Sequence, residues 1–444
     1  MEQTRIISPG GGQDAFGLAA PGGVDSGRTQ MGGPGGLTLE VLTGNRYALA
    51  TRHGRDHVLI RGAASGMAAG RRLPLNLCLV IDRSGSMEGE PLEYVKRACH
   101  HVVDLLDPSD VLSIVTFETA VDVVMPARRV INRQLIKEHI NRIQPGNTTN
   151  LYDGLVAGGQ QVSSVPAGGY VNRIILLTDG EPTAGIRDFQ SIVSGAKDLQ
   201  SRGISVTALG FGPEYNEELL AGMARRSGGN YYYISRPDLI PEVFRTELEQ
   251  LLTITAKNLR LRLITARWVQ VRQVYGQQPV FGNRTVEIAL PDLERGTAVS
   301  ALVEMEFGPR PAGTYRVARA ELLYDDCVTG AVGLSLAQDA VFEFTNDPGL
   351  LAAGVNPLVQ QELEVARASR SLERTMMGIK TQQITSAVAL AELQRTQMLL
   401  TAQGRTEEAA EVAQAIQAMR QGSGDVEKTL IGAIVDLDQG KRKT

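Results

Sequence analysis

The run Val80-Ile81-Asp82-Arg83-Ser84-Gly85-Ser86-Met87 places one carboxylate and two hydroxyls at alternate positions, directly after a stretch of aliphatic side chains. In an extended loop, Asp82, Ser84 and Ser86 point to the same side. Three oxygen donors carrying little negative charge suit a hard divalent cation that keeps some of its waters. The same residue types favour turns and helix caps for purely local reasons. Alone, the run leaves a metal site and a capped turn both open.

The elements around it narrow the choice. Leu75, Leu77, Leu79, Val80 and Ile81 read as a parallel strand buried on both faces, too short for a long helix. Asp82 then lies at the carboxyl end of that strand, the edge where open α/β sheets bind ligands. A second such strand, Arg173-Ile174-Ile175-Leu176-Leu177-Thr178, ends in Asp179-Gly180-Glu181-Pro182. Between them, Pro145-Gly146-Asn147-Thr148-Thr149-Asn150-Leu151-Tyr152-Asp153-Gly154 is a loop entering a helix. If both strands share one sheet, Asp82 and Asp179 emerge at one edge, and the loop brings in a threonine hydroxyl.

Taken together, these residues resemble the von Willebrand factor A domain and its metal-ion-dependent adhesion site. The pattern maps to Asp82, Ser84 and Ser86, then Thr149 in preference to Thr148, then Asp179. The resemblance implies that the serines and the threonine contact Mg²⁺ or Mn²⁺ while the aspartates act largely through water. It also implies an open coordination position for an acidic residue of a protein partner. An incoming Asp or Glu carboxylate gains a contact of roughly 2.1 Å to such an ion.

The rest of this region alternates strands and helices. The helices read as Pro91 to Leu106, Asn132 to Ile143, Leu151 to Val162, Phe189 to Ser201, Asn216 to Arg226 and Pro237 to Leu252. The strands read as Asp110 to Phe117, an antiparallel edge at Val121 to Met125, Ile204 to Leu209 and Asn230 to Ile234. That alternation predicts a doubly wound, mostly parallel sheet, an α/β domain over 74–253. Strand-like segments flank it at Leu37 to Leu42 and Val58 to Arg61, and again across 254–346. The upstream pair, over 37–73, is too small to stand alone. The α/β domain is therefore expected as an insertion in an antiparallel β-sandwich, as in bacterial and inter-alpha-inhibitor-like relatives. Residues 347–444 read as a helical hairpin or small bundle on the sandwich, in which the apolar positions Leu363, Ala366, Ile384, Val388, Ala391, Met398 and Leu399 recur near helical spacing. Met376 and Met377 are expected as core or contact residues, and Lys441-Arg442-Lys443 as a solvated tail. The Gly-rich stretch within 1–36 is expected to be a disordered arm.

Composition excludes several classes. The 444 residues carry a net charge of −4, which supplies no basic field for nucleic acid. No apolar run is long enough to span a membrane, and no signal-peptide core follows Met1. Cys78, Cys99 and Cys327 lack metal-like spacing and form an odd set, which points to a reducing compartment and a cytoplasmic location. His53-Gly54-Arg55-Asp56-His57 reads as a hairpin loop. No Gly-x-Ser-x-Gly elbow and no P-loop lysine occur. A phosphoryl-accepting aspartate would want a second acid two residues on, where this chain has Ser84, so ligand presentation is favoured over catalysis. The expectation is a non-enzymatic scaffold or signalling component gripping a partner carboxylate. The alternative is a subunit of an AAA+ ATPase assembly, MoxR- or chelatase-like, or of a kinase and phosphatase system.

Overall fold

The structure is a computed structural model describing residues 31–33, 36–64, 72–166, 168–422 and 426–443. The chain opens with β1 (Met31–Gly32), β2 (Leu37–Thr43), β3 (Tyr47–Leu49) and β4 (Gly54–Ala64). There follow β5 (Leu75–Asp82), α1 (Glu90–Leu105), β6 (Val111–Phe117), β7 (Val121–Arg129), α2 (Arg133–Asn141) and α3 (Leu151–Ser163). Next come β8 (Val171–Gly180), α4 (Phe189–Ser201), β9 (Ile204–Glu214), α5 (Glu217–Ser227), β10 (Tyr231–Ile234) and α6 (Ile240–Leu251). The strands β11 (Ile254–Thr265), β12 (Val269–Val274), β13 (Pro279–Phe281), β14 (Thr285–Ala289), β15 (Leu293–Glu294), β16 (Thr297–Phe307), β17 (Gly313–Asp326) and β18 (Leu334–Thr345) come after. The last elements are α7 (Gly349–Ala353), α8 (Pro357–Lys380), α9 (Ser386–Ala402), α10 (Thr406–Gln421), α11 (Val426–Gln439) and β19 (Lys441–Lys443).

The central sheet has the order β10-β9-β8-β5-β6-β7, parallel except for the antiparallel edge β7. Every residue of β5 is buried because helices cover both faces. Its alternation divides the core in two. Leu75, Leu77, Leu79 and Ile81 pack with Val95, Cys99 and Val102 of α1 and Phe244 and Leu248 of α6. Cys78 and Val80 pack with Leu151, Leu155 and Val162 of α3 and Ile192, Ala196 and Leu199 of α4. All three cysteines are free and buried. The α6 carboxylate Glu247, fully buried, accepts hydrogen bonds from Thr207 Oγ1 (2.5 Å), Asn230 Nδ2 (2.8 Å) and Tyr232 Oη (3.0 Å), which fixes α6 to β9 and β10.

Two further sheets face each other across a core containing Leu39, Val58, Leu261, Leu263, Val303, Met305, Phe342 and Phe344. One runs β1-β2-β4-β16-β12; the other runs β13-β14-β11-β17-β18-β3. The strands before the α/β domain thus pair with those after it, Val58 opposite Val303 and Leu59 opposite Leu302. The chain leaves this sandwich after β4 and returns at β11, in the other sheet. At the start of the parallel strands the two units are joined by the buried Arg173–Asp292 ion pair (3.1 Å) and by Lys257 Nζ donating to Tyr170 O. The site-bearing ends of those strands point the other way. Most of the expected Gly-rich arm, residues 1–30 and 34–35, lies outside the described residues, whereas Met31–Gly32 pairs with β2.

The C-terminal helices depart from the sequence reading in four respects. First, they bridge both units. Val359 and Leu363 of α8 pack on Leu42, Leu59 and Leu302 of the sandwich, while Ile431 and Val435 of α11 join the α3–α4 core. Second, α9 turns Ala389, Leu393, Thr396 and Leu400 inward, which leaves Val388 (51% exposed), Ala391 and Met398 (66%) facing solvent. Both faces of α9 are apolar, so periodicity alone does not choose between them. Third, Met376 is half-buried but Met377 is exposed. Fourth, Lys441–Lys443 is no solvated tail. Gly440, at φ 65°, turns the chain onto the edge of β16, where β19 pairs antiparallel with Thr297–Val299 and Lys441 Nζ meets Glu294 at 2.8 Å. His57 likewise lies within β4, not in a hairpin loop, with Nε2 3.4 Å from Tyr275 Oη.

The seating of α3 on the sheet depends on two glycines. A Cβ at Gly154 would stand 2.8 Å from Phe117 Cδ1, and one at Gly158 would stand 2.5 Å from Val80 Cγ2. Gly158→Ala is therefore expected to lower the unfolding free energy by about 1–3 kcal/mol through overpacking. Urea denaturation measures this, and an unchanged midpoint would mean that α3 lifts off the sheet without penalty.

Candidate functional site

Asp82 is the last residue of β5 and is 0% exposed. Its Oδ1 accepts the Ser84 backbone N–H at 2.8 Å, and its Oδ2 accepts the Thr178 hydroxyl at 2.5 Å. The carboxylate thus fixes both the turn that follows β5 and the end of neighbouring β8. That turn is not extended: after Ser84 the chain makes one 3₁₀ turn, Gly85–Met87, pinned by the buried Met87 side chain. The turn brings Ser84 Oγ and Ser86 Oγ to 3.2 Å from each other.

Asp179 completes a triangle with the two serines. Its Oδ1 accepts Ser86 Oγ at 2.8 Å and lies 3.4 Å from Ser84 Oγ. The third loop is laced to the first by Gly85 N–H to Asn147 O (3.1 Å) and Gly146 N–H to Arg83 O (2.6 Å). Thr149 donates its backbone N–H to the Thr183 hydroxyl at 2.9 Å and accepts the N–H groups of Thr183 and Ala184 on its carbonyl. Its hydroxyl lies 3.6 Å from where a Gly180 Cβ would be, whereas the Thr148 hydroxyl bonds Thr119 Oγ1 at 2.8 Å. Asn150 then caps α3, accepting from Asp153 N–H at 3.4 Å.

The charge balance of the site is unusual for a buried cluster. Burial pushes the Asp82 carboxyl up to about 6, against the opposing hydrogen bonds from Thr178 and Ser84. Burial also raises Asp179, partly offset by the Ser86 and Ser84 hydroxyls, with the charge of Glu214 adding to the rise. Among the described residues no lysine or arginine pairs with either aspartate. Nearby Arg83 instead reaches outward to Asp122 (2.7 Å) and Glu118 (3.5 Å).

A divalent cation fits this donor set. With metal–oxygen distances of about 2.1 Å, neighbouring oxygens of an octahedral Mg²⁺ shell lie about 2.9 Å apart, close to the 2.8, 3.2 and 3.4 Å edges here. The fit rests on hydroxyls, because among the described residues no three His, Cys, Asp or Glu side chains converge. Ser86 is exposed, so the triangle opens to solvent.

Residues 76–246 match the von Willebrand factor type A domain family. The α/β unit is thus similar to a von Willebrand factor type A domain over those residues, and is called the A domain below. An uncharacterized protein of Synechocystis is 31% identical over 60% of this chain and 64% of its own length. Human inter-alpha-trypsin inhibitor heavy chain H4 is 26% identical over 49% of the chain, which covers only 26% of that protein. The chain thus spans less than two thirds of these relatives. By fold it is similar to a von Willebrand factor type A protein of Catenulispora acidiphila, with a TM-score of 0.70, 18% identity, and 88% and 91% of the two chains covered. The ArnB paralog VWA2 of Sulfolobus acidocaldarius gives 0.64 at 18% identity, over 90% and 98% of the two chains.

Within the A domain, three groups that shape the site have no place in the sequence pattern: Thr183, the Asn147 carbonyl and Glu214. Thr178 belongs to the pattern as the threonine of the Thr-Asp-Gly strand end, and the structure gives its hydroxyl to Asp82. Its latch on Asp82 has a measurable consequence. A carboxyl raised to about 6 in the folded A domain stabilises it below the unfolded value, and that contribution is lost as pH rises through 6. In EDTA, stability is expected to fall by about 2 kcal/mol between pH 4 and 7 on this account. Asp82→Asn should flatten the fall in urea titrations across that range; an undiminished slope would place the titration elsewhere.

Proposed function

We propose that this protein is a non-catalytic recognition module that binds a divalent cation, Mg²⁺ or Mn²⁺, and uses it to hold an acidic residue of a protein partner. Asp179, Ser84 and Ser86 would hold the ion directly. Thr149 would flank it from the Gly180 side, and Asp82 would act from behind, since both its oxygens already accept hydrogen bonds. The observation that carries this reading is the solvent-facing triangle of Asp179 Oδ1 and the two serine hydroxyls, with edges of 2.8, 3.2 and 3.4 Å.

The donors explain why a carboxylate is the preferred partner group. Only one of the three direct donors carries charge, so the ion, when bound, would supply an incompletely neutralised Lewis acid to an incoming Asp or Glu. The protein's own residues hold the donors apart and fixed. The Thr178 hydroxyl and Ser84 N–H orient Asp82, the 3₁₀ turn sets the serines, and Thr183 sets Thr149. Buried free cysteines and the acidic overall balance support a role in a reducing, cytoplasmic setting without nucleic acid. Among the described residues no helix is long and apolar enough to cross a membrane.

Titration calorimetry of Mg²⁺ and Mn²⁺ into EDTA-stripped protein tests this. Wild type should bind, Asp179→Asn and Ser86→Ala should abolish binding, and Asp82→Asn should weaken it roughly 10- to 100-fold as an outer-sphere change. Partner capture with the full chain should then require the cation and be lost with Asp179→Asn. Recovery of an AAA+ ATPase in that fraction would identify the partner class. Capture that is equal in Mg²⁺ and in EDTA would refute the proposal.

A further inference from the structure

The last helix of the chain reaches the rim of the site through one buried ammonium group. Lys428 of α11 is 6% exposed. Burying a charged amine is costly unless its hydrogens are met. Here Nζ donates to Gly212 O at 3.3 Å and to Tyr215 O at 3.5 Å, and it lies 3.9 Å from the centroid of the Tyr215 ring. Both carbonyls belong to the segment in which β9 ends, and Glu214 lies between them. The Glu214 backbone is in register with Gly180, the residue after Asp179. Its exposed carboxylate is close enough to add to the charge that Asp179 feels, behind burial and the serine hydrogen bonds.

Further contacts keep α11 in place on this side of the A domain. Gln439 Nε2 donates to Gly229 O at 2.9 Å, Asp438 meets Arg225 at 3.4 Å, and Ile431 and Val435 sit in the α3–α4 core. The Lys428 tether is therefore anchored on a rigid element, and it grips the backbone on both sides of Glu214.

We infer that Lys428 is a positioning residue of the metal site: it holds the Gly212–Tyr215 segment so that Glu214 presents its carboxylate beside Asp179 and raises the affinity for a divalent cation. The inference rests on the cation site proposed above and gives the C-terminal helices a part in setting its strength. Its sign separates it from plain electrostatics. Removing a positive charge near the site would tighten cation binding, whereas losing the tether weakens it.

The test is a double-mutant cycle read by Mg²⁺ titration calorimetry on the full chain. Glu214→Gln is expected to weaken binding about 3- to 10-fold, the size of one partly screened charge near the ion. Lys428→Met is expected to weaken it by a similar factor, and the double variant should bind like either single one. Unchanged or tighter binding by Lys428→Met, or losses that multiply in the double variant, would overturn the inference while leaving the cation site standing. Absence of binding by wild type would remove both. Should Lys428→Met not fold, hydrogen exchange on wild type decides. By reciprocity, Mg²⁺ should slow exchange in residues 212–215 and 426–432; exchange that is unchanged there would overturn the inference.

Discussion

Placing a carboxylate at the buried end of a central strand is the constraint around which the rest of the A domain is arranged. Asp82 has no access to water, and its neighbours on β5 are aliphatic. Each of its oxygens must therefore be met from within, and both partners are local products of the fold. One is the N–H of the turn it begins; the other is a hydroxyl on the adjacent strand. Satisfying Asp82 thus fixes where the serine turn starts and how β8 ends beside it. The triangle of donors follows from that geometry. What remains unsatisfied is charge, since among the described residues no basic side chain enters the cluster. A site with fixed oxygens and no protein cation is electrostatically incomplete, and that incompleteness is the physical basis for reading it as a cation site.

The sandwich serves the site by staying away from it. The Arg173–Asp292 pair and the Lys257 contact hold it at the amino ends of the parallel strands. Breaking a buried pair of this kind leaves an uncompensated charge, so the junction resists separation. The loops at the carboxyl ends are thereby left uncovered by the sandwich. Strands from both sides of the A domain share one sheet, with β4 beside β16. The insertion is therefore held at both of its ends by one hydrogen-bonded framework.

The C-terminal helices do more than cap the sandwich. α11 is buried nearly all round, divided between the helical cluster and the A-domain core, and carries a lysine, a glutamine and an aspartate into polar contact with β9, α5 and their loops. A purely apolar helix would pack there as well. The polar contacts fix its register along the A domain, and with it the loop that carries Glu214. The chain then turns at Gly440 and closes on the edge of β16, which ties bundle, A domain and sandwich together within a few residues.

The donor types, their order and the alternation of strands with helices were all readable in the residues, because each depends on spacing within a short segment. Runs such as Leu75–Ile81 and Ile174–Leu177 announce buried parallel strands, and the helix Phe189–Ser201 has the bounds that its periodicity suggested. Other features depend on residues far apart in sequence. Thr178 reaches Asp82 across 96 positions, because β8 packs against β5 in one register and no other. The choice of Asp179, not Asp82, as the carboxylate in the donor triangle follows from the same packing. So do the outward turn of Thr148 and the place of Lys428 beside the β9 loop. The exposed face of α9 was equally unreadable, since its sequence is apolar on both sides and only its neighbours select one. Local periodicity therefore determined which elements form and which side chains are available for chemistry. The tertiary structure decided which of them meet, because contacts between distant segments are set by packing and register, which a one-dimensional pattern does not encode.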